Sequence, residues 1–178
     1  MGGNALTECI VYGATAGQYA AEHAKTTPKK QVDKAWVEQR LERINEIERR
    51  EPSNLGNPKL VKSRIKKIMW KKAGIIRSQQ SLAAAQAELT QLGDENLPKI
   101  YGKKPYEVRE ALEAINLFIV ASLVVKAAFV RKESRGAHYR ADYPDQDDKK
   151  WLKHVVLTKK TEGTEVHTCP VILIKLFP

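Results

Sequence analysis

A chain of 178 residues can hold one domain with a core of its own plus a further appended piece. At 42% hydrophobic and 29% charged it is too apolar for general disorder. Its two cysteines, Cys9 and Cys169, stand at opposite ends, without the spacing of a disulfide framework or a zinc site, so a reducing cytoplasm is the expectation.

The net charge of +10 is local, because sixteen Lys and Arg stand against six Asp and Glu between Lys25 and Arg77. Met1 runs directly into Gly2-Gly3-Asn4, so no cleavable signal pattern is read there. The longest apolar run, Leu117 to Val125, is interrupted by Ser122, halted by Lys126 and shorter than the ~20 residues of a membrane span.

The opening "GGNALTECIVYGATAGQYAAEHA" predicts a helix with Asn4 as N-cap and a face of small residues (Gly13, Ala16, Gly17, Ala20, Ala21) that admits close packing. "KTTPKKQ" reads as a surface linker and a domain boundary. From Gln31 to Arg50, Val37, Leu41, Ile44 and Ile47 recur at three- and four-residue spacing, predicting an amphipathic helix. A second bundle helix opens after Pro58 with an inner stripe of Val61, Ile65, Ile68, Met69 and Ile76, and Trp36 and Trp70 stand where bundle packing could use them. Its outer face carries Lys59, Lys62, Arg64, Lys66, Lys67, Lys71, Lys72 and Arg77.

Gly74 is expected to loosen or bend that helix. Leu82, Ala85, Leu89 and Leu92 then predict a third helix, stopped by Gly93. A fourth runs from Pro105 to about Glu133, apolar nearly all round between Ala114 and Val130, and is expected at the centre of the bundle. The tail is rich in β-branched residues on either side of "TEGT", predicting a small hairpin or edge strands, with Pro170 barred from a central position.

Three stretches invite chemistry. The basic helix could release counterions from a nucleic acid, yet no base-reading or stacking motif accompanies it, and a solvated face is favoured. No Glu-x-x-His pair supports a di-metal site in the bundle. In "RKESRGAHYRADYPDQDDKKWLKH", His138 lies near Glu133, Arg135, Arg140 and Asp142, which could form a general acid, an anion clamp or an ion-pair network around a turn at Gly136. The paired glycines ahead of the first helix leave free N–H groups at its positive end, where an anionic or electron-rich ligand could sit.

"GGNALTECIVYGATAG", "IMWKKAGIIR" and "RKESRGAHYRADYPDQDDKKWLKH", in this order, resemble the flavoprotein subunits of succinate dehydrogenase and fumarate reductase. The resemblance implies a mainly α fold, a spectrin-repeat-like bundle of three to four helices with the small β tail. It implies four segments: residues 1–24 as the last helix of an FAD-binding domain, 25–30 as linker, 31–133 as the bundle, and 134–178 as a charged docking segment with the β tail. Asn4, Ala5 and Leu6 would lie at the FAD of the complete subunit, the N–H groups of Ala5 and Leu6 directed at the flavin.

The dinucleotide-binding glycines, the flavin-linking histidine and the substrate arginines of the family have no counterpart in these residues. The chain alone is therefore expected neither to retain FAD nor to catalyse. Glu133, Arg135, His138, Arg140 and Asp142 are expected to fasten the long helix to the flavin domain or to align the tail against the bundle, with Tyr139, Tyr143 and Trp151 packing beneath. The implied partners are the FAD-binding domain, in the same or a split subunit, and an iron–sulfur subunit. The other reading is a free-standing basic adaptor binding an acidic protein or nucleic acid through Lys59 to Arg77.

Overall fold

The computed structural model describes residues 4–29, 31–161 and 163–172, and the chain divides between Leu41 and Glu42 into two compact units. The first unit holds α1 (Asn4–Thr26) and the beginning of α2 (Lys34–Arg49). Asn4 is already the first helical residue of α1, not its cap. Leu6, Ile10, Val11, Tyr12 and Tyr19 of that helix are all exposed. α2 starts three residues later than its apolar spacing predicted, because the Asp33 carboxylate accepts the N–H groups of Ala35 and Trp36 and so marks the true start.

The second unit is built on three helices, α3 (Pro58–Lys72), α4 (Gln79–Glu95) and α5 (Pro105–Val130), each packed on the other two. The end of α2 joins it through Ile47, buried, whose carbonyl accepts the Gly102 N–H at 3.2 Å. Leu41, expected on the same stripe, is exposed.

Each bundle helix starts where its sequence supplies a cap. Asn57 Oδ1 accepts from the amides of Lys59 and Leu60, with Pro58 at the first helical position, where its missing N–H costs nothing. Ser78 and Ser81 form a reciprocal capping box at α4. At α5 the Glu107 carboxylate reaches back to the amides of Lys103 and Lys104.

The inner stripe of α3 is Val61, Ile65 and Ile68, all buried, facing Leu82, Ala85, Leu89 and Leu92 of α4 and the alanines of α5. Ile76 is not on this stripe. The helix ends at Lys72, and Ile76 lies in a two-residue strand, β1 (Ile76–Arg77), with its side chain exposed. Trp70 is exposed as well, because two residues beyond Ile68 a helix has turned by about 200°. Trp36, too, is exposed.

Gly93 does not stop α4. The helix passes through it to Glu95, and a Cβ there would come 2.8 Å from the Phe118 ring, so this glycine is the contact that lets α4 and α5 approach.

α5 ends at Val130, short of Glu133. By length and composition it is apolar enough to cross a membrane, but Val108, Ala111, Ala114, Ile115, Ala121, Val125 and Ala128 face the bundle. Ile119, Val120 and Val124 remain exposed, so the helix is central on one side only.

Beyond α5 come β2 (Tyr139–Arg140), parallel to β1, a single helical turn α6 (Asp148–Trp151), and a regular antiparallel hairpin of β3 (Lys153–Lys160) and β4 (Gly163–Pro170). The hairpin closes at Gly163, whose φ of +94° is open only to glycine at low cost, and Pro170 pairs at its far end with Lys153. Lys126 on α5 donates to the Thr164 carbonyl at 2.6 Å and ties the hairpin to the bundle.

Candidate functional site

The charged segment after α5 gathers three helix ends. A helix C-terminus leaves its last carbonyls without partners and a helix N-terminus its first amides. Here the C-terminus of α3, the N-terminus of α4 and the C-terminus of α5 are served by side chains of one short stretch and of Arg77.

Arg140 is the centre. Its side chain is 1% exposed, and its Nη1 donates to the carbonyls of Ala128, Phe129 and Arg131, at 3.0, 3.2 and 3.1 Å. Its Nε and Nη2 bind the Asp142 carboxylate as a fork, at 2.8 and 2.7 Å, and Tyr143 lies against the guanidinium face. Asp142 in turn accepts the amide of Gln79, the first residue of α4, at 2.9 Å. The Arg140 fork, aided by that amide, holds the Asp142 carboxyl far below the ordinary aspartate range despite some burial.

Glu133, fully buried, is the second node. Arg131 and Arg135 both donate to it, and the Asp147 amide joins at 2.9 Å. Burial pushes this carboxyl up, but the Arg135 bonds, the Asp147 amide and Arg131 together outweigh it and leave the group below its usual value. Arg135 also reaches Asp148 on α6 at 2.6 Å, while Arg131 donates to the Trp151 and Lys153 carbonyls and lies over the Trp151 ring.

His138 occupies the third node. Arg77 Nη1 stands 2.9 Å from its Nδ1, and arginine only donates, so Nδ1 accepts and Nε2–H faces the Arg131 carbonyl at 3.4 Å. Burial, together with the Arg77, Arg140 and Arg131 charges, lowers its affinity for a proton and keeps the ring neutral. Both ring nitrogens thus have partners within this segment and Arg77. Arg77 also donates from Nε to Ala73 and Gly74, the end of α3, and its carbonyl accepts the Ala141 N–H at 2.7 Å.

Of the three roles open to this segment, the ion-pair network is the one its geometry performs. All five predicted residues meet in it. Arg77, Arg131, Ser134, Asp147 and Asp148 belong to it too. Ser134, whose hydroxyl accepts the Arg140 amide at 2.9 Å and donates to the Tyr143 carbonyl at 2.8 Å, gives no sequence signal beyond its place in the stretch. Arg77 was hidden among the basic residues expected on α3, which ends before it. Tyr143 and Trp151 pack under arginines, whereas Tyr139 stays partly exposed.

The basic face of α3 is thinner than its sequence. Lys62 sits between Glu110 and Glu113, Lys72 pairs with Glu88 at 3.2 Å, Arg64 bonds Asn96, and Arg77 is turned inward. Among the described residues no three His, Cys, Asp or Glu converge to hold a metal. Leu6 at the start of α1 is 72% exposed, while the side chains of Asn4 and Ala5 lie outside the described residues.

Residues 62–178 match the family model for the fumarate reductase flavoprotein C-terminal region. A fumarate reductase (CoM/CoB) subunit of Methanothermobacter marburgensis is 34% identical over 166 residues, 91% of this chain and 29% of that protein. The succinate dehydrogenase flavoprotein subunit of Rickettsia bellii is 33% identical, covering 88% of this chain and 27% of its own length. The Mycobacterium smegmatis Sdh1 complex in the apo form contains a chain that superposes with a TM-score of 0.83 at 25% identity, covering 99% of this chain and 31% of that one. The chain thus spans less than a third of the relatives it matches. These matches place the chain in the succinate dehydrogenase and fumarate reductase flavoprotein family, as its C-terminal part.

Proposed function

We propose that this chain is the docking and assembly portion of a flavoprotein oxidoreductase that interconverts succinate and fumarate, and that it does no chemistry by itself. The observation that carries this reading is the saturation of the clasp. Its acids are held by arginines and its histidine by two neighbours, which supports a structural role over a catalytic one. The clasp's part is to keep the end of the bundle in one shape, against which a flavin-carrying portion can seat.

FAD belongs to the complete subunit. Among the described residues the only parallel strand pair is β1 with β2, two residues each, far from the sheet that a dinucleotide site needs. What this chain can offer is the first turn of α1, where Asn4, Ala5 and Leu6 would present main-chain N–H groups at the positive helix end. When bound, the flavin supplies hydride exchange; the helix end favours the negative charge of its reduced form. An iron–sulfur protein is the electron partner of this reading, and the site of action is cytoplasmic, peripheral to the inner face of the membrane through partner subunits.

The test is a reconstitution. The purified chain is assayed for bound flavin and for dye-coupled fumarate reduction, alone and after mixing with the flavin-loaded remainder of the M. marburgensis protein. Binding only in the mixture, with Arg135→Glu weakening it, is expected. Stoichiometric flavin or turnover in the chain alone would overturn the proposal.

A further inference from the structure

Beside the clasp lies a cavity of about 400 Å³, where the chain leaves α5, turns through α6 and enters the hairpin. Tyr143 and Trp151 give it an aromatic wall, with Lys132, Lys150 and Lys153 around them and Thr168 on the hairpin side.

Its frame is fixed by the clasp. Arg131 donates to the carbonyls of Trp151 and Lys153 and its guanidinium lies 5.4 Å from the Trp151 ring centre, while that of Arg140 lies 5.1 Å from the Tyr143 ring centre. Lys153 and Thr168 stand on one face of the hairpin, because Thr168 pairs with Val155, two residues along from Lys153. A cavity whose backbone is already held loses little freedom on taking up a ligand.

Its charge is one-sided. Three lysines line it against one carboxylate, that of Asp147, so two positive charges are unbalanced. Asp147 offsets them only weakly, since its Oδ1 accepts the Lys150 amide and its Oδ2 stands 4.0 Å from Lys150 Nζ. The neighbouring acids Glu133 and Asp148 are taken by Arg131 and Arg135. Lys132 and Lys153 make no ion pair among the described residues. Like charges around one hollow repel, and an anion placed between them removes that cost.

We propose that this cavity binds a nucleoside monophosphate, with the phosphate among Lys132, Lys150 and Lys153 and the base against Trp151 and Tyr143. A phosphate monoester carries nearly two negative charges at neutral pH, which matches the imbalance, and its oxygens accept from lysine ammonium groups. The base adds a flat π face, which an aromatic wall receives well. A dicarboxylate or inorganic phosphate would balance the charge and leave that wall uncovered. The site is separate from the docking role of the clasp, and neither needs the other.

The full chain is titrated by calorimetry with AMP, ribose 5-phosphate and adenosine, at low and at physiological salt. One AMP per chain should bind, more weakly as salt rises, and ribose 5-phosphate should bind about tenfold more weakly, as expected for the loss of one stacked base. Adenosine, without the phosphate, should bind more weakly than AMP and show no salt dependence. Lys132→Gln/Lys153→Gln should weaken AMP binding about tenfold or more with urea unfolding unchanged, since both side chains are exposed. Lys67→Gln/Lys71→Gln, on α3, should leave AMP binding as it is.

No uptake of AMP at millimolar concentration would overturn the proposal. Equal affinity for AMP and ribose 5-phosphate would remove the base from the site and overturn it too. An equal loss in the α3 variant would make binding a matter of net charge alone. Binding of phosphatidylserine vesicles, abolished by Lys132→Gln/Lys153→Gln and unaccompanied by AMP uptake, would assign these lysines to a membrane surface instead.

Discussion

Replacing Arg140 by methionine tests the clasp most directly. The side chain is buried, so shape is nearly kept while five bonds go: three to the carbonyls that end α5 and two to Asp142. The carbonyls cannot all reach water, and the Asp142 carboxylate loses its counter-charge while still accepting the Gln79 amide. Breaking a buried pair by removing one partner costs about 3–5 kcal/mol. Against the roughly 5–15 kcal/mol that holds a domain folded, that is at least about a fifth. Asp142→Asn keeps an oxygen for Gln79 but turns an amide NH2 toward Arg140 Nε and leaves the buried guanidinium without its counter-charge, so it should cost roughly 2–4 kcal/mol. The double variant should cost less than the two singles together, by roughly 1–2 kcal/mol, because the singles share one interaction. Urea unfolding followed by circular dichroism measures all three. An Arg140→Met cost under about 1 kcal/mol, or strict additivity, would refute the view that this guanidinium ties the end of α5 to the start of α4.

Acid should act first through His138. Its folded proton affinity is lowered, so the unfolded chain takes up more protons as pH falls; stability is complete above about pH 6.5 and declines below it toward the folded value. His138→Asn should remove that slope in urea titrations between mildly acidic and neutral pH. A second acid-induced loss belongs to Asp142, whose stabilisation is present above the ordinary aspartate range and is surrendered only in strong acid. Gly136→Ala, at a φ of +56°, should cost about 1–2 kcal/mol in the same unfolding assay. Gly102→Ala should cost more, roughly 2–3 kcal/mol, since its Cβ would meet the Val108 backbone nitrogen at 2.5 Å and displace the first turn of α5. Lys62→Glu would place a third carboxylate beside Glu110 and Glu113, and should lower the melting temperature by several degrees.

Local signals in the chain determined most of the helices. Three- and four-residue spacing marked Val61, Ile65 and Ile68 as an inner stripe and Leu82, Ala85, Leu89 and Leu92 as another; Pro58 and Pro105 placed the starts of α3 and α5; β-branched runs around "TEGT" marked the hairpin. These are short-range effects, set by the geometry of one helix or strand, and so they can be read without knowing the neighbours. The same logic failed at Gly93, Ile76 and Trp70. Whether a glycine breaks a helix or admits a neighbour depends on Phe118 of another helix, and whether an apolar side chain is covered depends on where α3 stops.

The candidate site was legible as a list and opaque as a mechanism. Charge density after α5 identified Glu133, Arg135, His138, Arg140 and Asp142 and favoured structural bonding, but composition alone left acid catalysis and anion binding open beside it. Only the tertiary structure brings the ends of α3, α4 and α5 to one place, where unpaired carbonyls and amides require partners and Arg140, Asp142 and Arg77 supply them. Pairing is a long-range property: Arg77 meets His138 and Gln79 meets Asp142 across roughly sixty intervening residues, and no local period records such a meeting.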